Sequence, residues 1–80
     1  MTRDAVFEKL TEIFRDVFDD EDITVGEATT AADIDGWDSL THITLLATVE
    51  DEFDVKFTMK VVQHLQNVGE LADLIAEGLA

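Results

Sequence analysis

The sequence predicts an all-α fold: a small helical bundle with three main helices, one short helix and a long first loop. Three observations carry this. Apolar residues recur at helical spacing in separate stretches. Within those stretches no β pattern competes. Residues of the capping type stand just before the periodic stretches. The 80 residues are enough for one domain with one core, over 1–80, and no repeat or linker divides them.

The first helix is expected over 3–18. Val6, Phe7, Leu10, Ile13, Phe14, Val17 and Phe18 form one apolar stripe, Thr2 or Asp4 caps the start, and Arg3, Lys9 and Arg15 share the outer face with Glu8 and Glu12. Residues 19–37 are a connection of a length that in compact domains is usually functional or disordered. Ile23, Val25 and Ile34 are the residues able to pin it to the core, and Thr30 with Asp33 has the spacing of a capping box for a short helical turn.

The second helix is expected over 39–53, with Asp38 as N-cap. Leu40, Ile43, Leu46, Ala47, Glu50 and Phe53 trace its period, Leu45 and Val49 widen the apolar arc, and one flank is left as an exposed apolar edge. Glu50, Asp51 and Glu52 put acids in its last turn, against the helix dipole. Local rules broken in this way tend to mark functional sites. Val55 and Phe57 anchor the link that follows. Residues 59–66 form a short helix with Val61, Val62 and Leu65 apolar. Asn67 with Glu70 starts the last helix, which runs to about Leu79 with Leu71, Ala72, Leu74, Ile75 and Leu79 inward.

Composition narrows the function. The formal charge is −14, and between Arg15 and Lys56 there is no Lys or Arg. Such a field repels nucleic acid and favours partners with basic patches. No apolar run approaches the ~18 residues that span a bilayer, and no signal peptide is visible, so the expected location is cytoplasmic. There is no Cys, hence no disulfide and no thiolate metal cage. Nothing calls for a dimer, and a monomer is expected.

Chemistry concentrates in Asp35-Gly36-Trp37-Asp38-Ser39-Leu40. Ser39 sits at a helix start, where free N–H groups and the positive dipole end suit a phosphate. Ser39 with His42 lacks the orienting acid and the cleft that a hydrolase needs. His42 and His64 read as surface residues, and Trp37 as packing over the loop. Counted from Asp33, the sixth and twelfth positions of a calcium loop hold Asp38 and Thr44 rather than Gly and Glu, so no metal site is expected. Residue chemistry alone leaves two readings of Ser39 open: a first-turn residue beside its cap, or a hydroxyl presented to a modifying enzyme.

The run Gly36-Trp37-Asp38-Ser39-Leu40 resembles the Asp-Ser-Leu attachment motif of acyl carrier proteins, in the form found in many discrete bacterial carriers. Glu50-Asp51-Glu52-Phe53, the pair Val55 and Phe57, and Asn67 to Leu71 followed by Leu74-Ile75 continue the likeness in order and at the family's spacing. The resemblance implies a four-helix acyl-carrier fold and no catalysis by the chain itself. It implies a 4′-phosphopantetheine arm, taken from coenzyme A by a Mg²⁺-dependent phosphopantetheinyl transferase and held on Ser39, whose thiol carries acyl groups as thioesters. Asp38, Leu40, Ala47, Glu50 and Asp51 are then the partner-facing residues, toward the transferase and toward acyl-activating or acyl-transferring enzymes with basic patches. Fatty-acid carriers commonly place acids where this chain has Thr41 and Thr44, have an acidic third helix whereas Lys56 and Lys60 here flank the link, and carry a larger apolar residue at Ala47. These departures favour a specialised polyketide, lipid or glycan pathway. The alternatives are primary fatty acid synthesis and an aminoacyl or peptidyl carrier of the same fold.

Overall fold

The computed structural model describes residues 2–58, 63 and 65–79, apart from the side chain of residue 79. Its elements are helix α1 (Arg3–Val17), a 3-10 turn (Ala31–Asp33), helix α2 (Ser39–Phe53) and helix α3 (Val68–Leu79). Among the described residues there is no strand. The short helix expected over 59–66, with Val61 and Val62, lies largely outside the described residues, as do Lys60, His64 and the Leu79 side chain.

Helix α1 is the central post, packed against both α2 and α3. Thr2 caps it, its hydroxyl accepting the Ala5 N–H at 3.1 Å. The expected stripe is its buried face: Val6, Leu10, Ile13 and Phe14 are buried, with Phe7, Val17 and Phe18 packed against the core. Full burial of a Leu or Phe side chain stabilises by roughly 1.5–3 kcal/mol, so this face contributes strongly to cohesion.

The bases of α1 do not pair along their own helix with Glu8 and Glu12. Each reaches away. Arg3 binds Glu27 in the loop, and Asp73 (2.8 Å) and the Gly69 carbonyl (3.2 Å) on α3. Lys9 donates to the Glu52 carbonyl at 2.9 Å, and Arg15 to the Ile23 carbonyl at 2.7 Å. A short chain with a long loop uses its few cations to tie distant segments together.

The loop is pinned as the sequence indicates. Ile23, Val25 and Ile34 are buried, and the Thr30–Asp33 capping box opens the 3-10 turn. Its middle is fastened to the start of α3: Val68 N–H donates to the Thr29 carbonyl (2.8 Å) and Gly69 N–H to the Glu27 carbonyl (3.1 Å). That approach needs glycine, since a Cβ on Gly69 would lie 2.7 Å from the Glu27 carbonyl oxygen.

In α2 the inward stripe is Leu45, Leu46, Val49 and Phe53. Of the residues that trace the helical period, Leu40, Ile43 and Ala47 point to solvent, and Glu50 is half-buried. The apolar arc was wide enough to be centred on either side, and periodicity alone could not choose. The exposed flank itself was expected. Val55 is buried and Phe57 half-buried against the core, as the link anchors should be. Val68, Leu71, Ala72 and Ile75 are the buried face of α3, with Leu74 half-buried. The Asn67 side chain accepts the Glu70 N–H (2.9 Å), while the Glu70 carboxylate reaches back to the Gln66 N–H (3.1 Å).

Candidate functional site

The site is built by the turn that feeds α2. Trp37 N–H closes onto the Ile34 carbonyl at 3.4 Å, with Gly36 at φ 87°, a left-handed conformation that glycine adopts without strain. Asp38 then caps the helix. Its carboxylate accepts the Leu40 N–H (2.9 Å) and the Thr41 N–H (3.0 Å). The Thr41 hydroxyl returns the contact, accepting the Asp38 N–H (2.8 Å) and donating to the Gly36 carbonyl (2.7 Å). The Thr41 and Leu40 N–H groups hold the Asp38 carboxyl below the usual carboxylate range.

Ser39 is the first residue of the helix and is exposed. Among the described residues nothing hydrogen-bonds to its hydroxyl. The sequence pointed to free first-turn N–H groups as a phosphate cradle. Two of them are instead taken by Asp38, and the carboxylate already answers the dipole. So the site suits a group held through a covalent bond to the hydroxyl, and does not suit a free anion. Beside Ser39 lies a groove of about 260 Å³, walled by Trp37 and His42 on one side and by Leu65, Asn67 and Leu71 on the other. An ordered water occupies about 30 Å³, so the groove has room for an extended organic chain. The residues present therefore fit a phosphopantetheine group: an accessible nucleophilic oxygen, and a mixed polar and apolar channel next to it.

The exposed face of α2 carries Leu40 (77% exposed) and Ile43 (59%), with Ala47 one turn on and Asp51 beyond. This face runs away from Ser39 and is uncharged until the acids at its end. A second, smaller groove of about 160 Å³ lies alongside it, between Ile43, Leu46 and Ala47 of α2 and Phe57 of the link. Glu50 borders that groove and has a structural task the sequence did not reveal: its carboxylate accepts the Phe57 N–H at 2.9 Å. Hence Ser39, Asp38, Leu40, Ala47 and Asp51 lie along one accessible surface, and Glu50 is partly engaged at its edge.

Sequence reasoning also missed the setting of His42. His42 is half-buried, and its Nδ1 accepts the Trp37 indole N–H at 3.0 Å. Trp37, expected over the loop, packs against the core, edge-on to Phe14 at 5.2 Å. The spacing of positions 37 and 42 around an Asp38 cap was the available signal. Among the described residues no cluster of His, Cys, Asp or Glu is arranged to hold a metal, and no helix is long and apolar enough to cross a membrane.

Comparison with known proteins gives a consistent result. Residues 8–75 match the family described as "Phosphopantetheine attachment site". The acyl carrier protein of Picosynechococcus sp. is 34% identical over 73 residues, covering 90% of this chain and 89% of that one. The mitochondrial acyl carrier protein of Saccharomyces cerevisiae is 30% identical over 81 residues, covering 95% of this chain, and the chain spans 64% of that relative's length. A holo acyl carrier protein from Geobacter metallireducens, solved in solution by NMR, superimposes with a TM-score of 0.85 at 46% identity, over 91% of this chain and 84% of that one.

Proposed function

Because the chain belongs to the phosphopantetheine-attachment family of acyl carrier proteins, which carry cargo on a covalently held 4′-phosphopantetheine and are not enzymes, we propose that Ser39 is its attachment residue and that residues 1–80 work as one stand-alone carrier domain. The observation that carries this reading is the Ser39 hydroxyl, exposed on the first turn of α2 with no protein partner among the described residues. When bound, the group's thiol supplies the thioester linkage that a chain without Cys cannot offer.

The chain's own residues do the rest. Asp38 and Thr41 hold the helix start in one geometry, so the hydroxyl is presented from a rigid element. Leu40 and Ile43 give a transferase, and later acyl-activating or acyl-transferring enzymes, an apolar contact beside the site. Asp51, with Glu50, offers negative charge to their basic patches. The charge of −14 disfavours nucleic acid as a partner. The chain works as a monomer in the cytoplasm.

The uncharged first half of that face, with Thr41, Thr44 and Ala47, supports a specialised polyketide, lipid or glycan pathway over primary fatty acid synthesis. An aminoacyl carrier differs only in the enzyme that charges it. The test is intact mass after incubation with coenzyme A, Mg²⁺ and a phosphopantetheinyl transferase, beside Ser39→Ala. A gain of one phosphopantetheinyl group in the parent alone is expected. No gain in a folded parent would return Ser39 to the role of a helix-start residue in an acidic interaction domain.

A further inference from the structure

Trp37 and His42 stand on either side of Ser39 in sequence, and the structure joins them. The indole N–H donates to His42 Nδ1 over 3.0 Å, and the two rings lie 6.0 Å apart at 23°. With Asp38 as N-cap, Trp37 is the residue before the cap and His42 the fourth residue of the helix. At these two positions apolar side chains commonly pack together and fix the angle at which the chain enters a helix. Here one of the pair is an imidazole. Trp37 is held from the other side by the buried ring of Phe14. A continuous contact thus runs from the core through Trp37 to His42, and it straddles Ser39.

The bond has a protonation requirement. A donor aimed at Nδ1 needs the lone pair there, so the imidazole must be neutral with its proton on Nε2; an imidazolium carries N–H on both nitrogens and cannot accept.

We propose that His42 is a positioning residue for the modification of Ser39: by accepting the Trp37 indole N–H it holds Trp37 and fixes the Gly36–Ser39 turn in the form a transferase meets. The proposal rests on the reading of Ser39 as the attachment residue. It acts through Trp37 and requires no contact between His42 and the transferred group.

Trp37 is the one tryptophan of the chain, so its indole N–H gives a single NMR signal. At one fixed pH, exchange of that N–H against water is expected to be about five-fold faster in His42→Ala than in the parent, the worth of one hydrogen bond, and close to the parent's rate in His42→Asn, whose amide oxygen accepts in place of Nδ1. His42→Ala is expected to take up the arm from coenzyme A about five-fold more slowly than the parent, with His42→Asn recovering most of the loss. Equal indole exchange in parent and His42→Ala, a His42→Ala that loads at the parent's rate, or a loss that His42→Asn does not recover overturns the proposal. If the parent gains no mass, the reading of Ser39 falls and takes this proposal with it; a parent that loads no faster than His42→Ala removes this proposal alone.

Discussion

Gly69→Ala tests whether the close seating of the first loop on α3 is a rigid part of the fold. The added methyl would lie 2.7 Å from the Glu27 carbonyl oxygen, 2.8 Å from its Oε1 and 3.1 Å from the Asn67 Oδ1. The carboxylate can swing aside; the carbonyl cannot without breaking its bond to the Gly69 N–H (3.1 Å) and straining the neighbouring Val68 to Thr29 bond (2.8 Å). The Arg3 contact to the Gly69 carbonyl (3.2 Å) moves with them. At about 1 kcal/mol per hydrogen bond, the loss is about 2–3 kcal/mol. Alanine in place of glycine in a helix returns up to about 1 kcal/mol. The net expectation is a destabilisation of about 1–2 kcal/mol, which lowers Tm by roughly 5–15 °C in a domain of this size. Thermal melts by circular dichroism at fixed salt measure it. Hydrogen exchange locates it: the Val68 and Gly69 amides should lose protection before those of α1. Gly26→Ala is the control, since its added methyl meets nothing within 4 Å and should leave stability within about 0.5 kcal/mol of the parent. A Gly69→Ala variant that melts at or above the parent would show that the loop yields freely, and the reasoning would be wrong.

Asp38→Ala removes the N-cap of α2 and should cost about 1 kcal/mol, while Asp38→Asn, an equally good cap, should cost little; paired melts of the two separate capping from charge. The Arg3 guanidinium holds the Glu27 carboxyl below the usual glutamate range. A depressed folded value contributes stability that is present above the unfolded value, about 4.3, and lost as pH falls through the folded value. The Tm gap between the parent and Arg3→Met should therefore narrow from pH 6 to pH 3; a gap that widens would contradict the pairing. With a charge of −14 the folded chain repels itself, so raising NaCl from low to physiological strength should raise Tm, and a melting curve indifferent to salt would count against that.

The helices were legible because their signals are local. The stripe from Val6 to Phe18, the Asp38 cap and the Thr30–Asp33 box depend on residues within a few positions of one another. The inward side of α2 was not legible. Leu40, Ile43, Leu45, Leu46, Ala47 and Val49 cover more of the helix than the core can accept, and tertiary packing, α1 against it among the described elements, decides which are buried. The bonds of Arg3 to Glu27 and Asp73 escaped for a related reason: they join residues far apart in the chain, and only the folded backbone brings them together. At the site, Ser39 was conspicuous through its motif. His42 was not, because a histidine on a helix reveals its partner only once the turn before that helix has a shape. Glu50 was read as an acid for partners, and its bond to the Phe57 N–H depends on a link whose path no local pattern specifies.

The bare strip of α2 around Leu40 and Ile43 has a kinetic consequence. It is narrow, and it adjoins the single serine proposed for attachment, so on the proposed docking role two enzymes cannot stand there together. Successive steps must then proceed by exchange, each visitor leaving before the next arrives. That sets an upper limit on how tightly any of them should hold. Most affinity differences between related complexes lie in the dissociation rate, and small transient interfaces bury less than about 1,200 Å². A substitution that made the strip more adhesive to one enzyme would therefore slow the whole sequence while improving a single encounter. On that docking role, Leu40 and Ile43, the exposed large aliphatic side chains among the described residues, suit a surface that each visitor vacates.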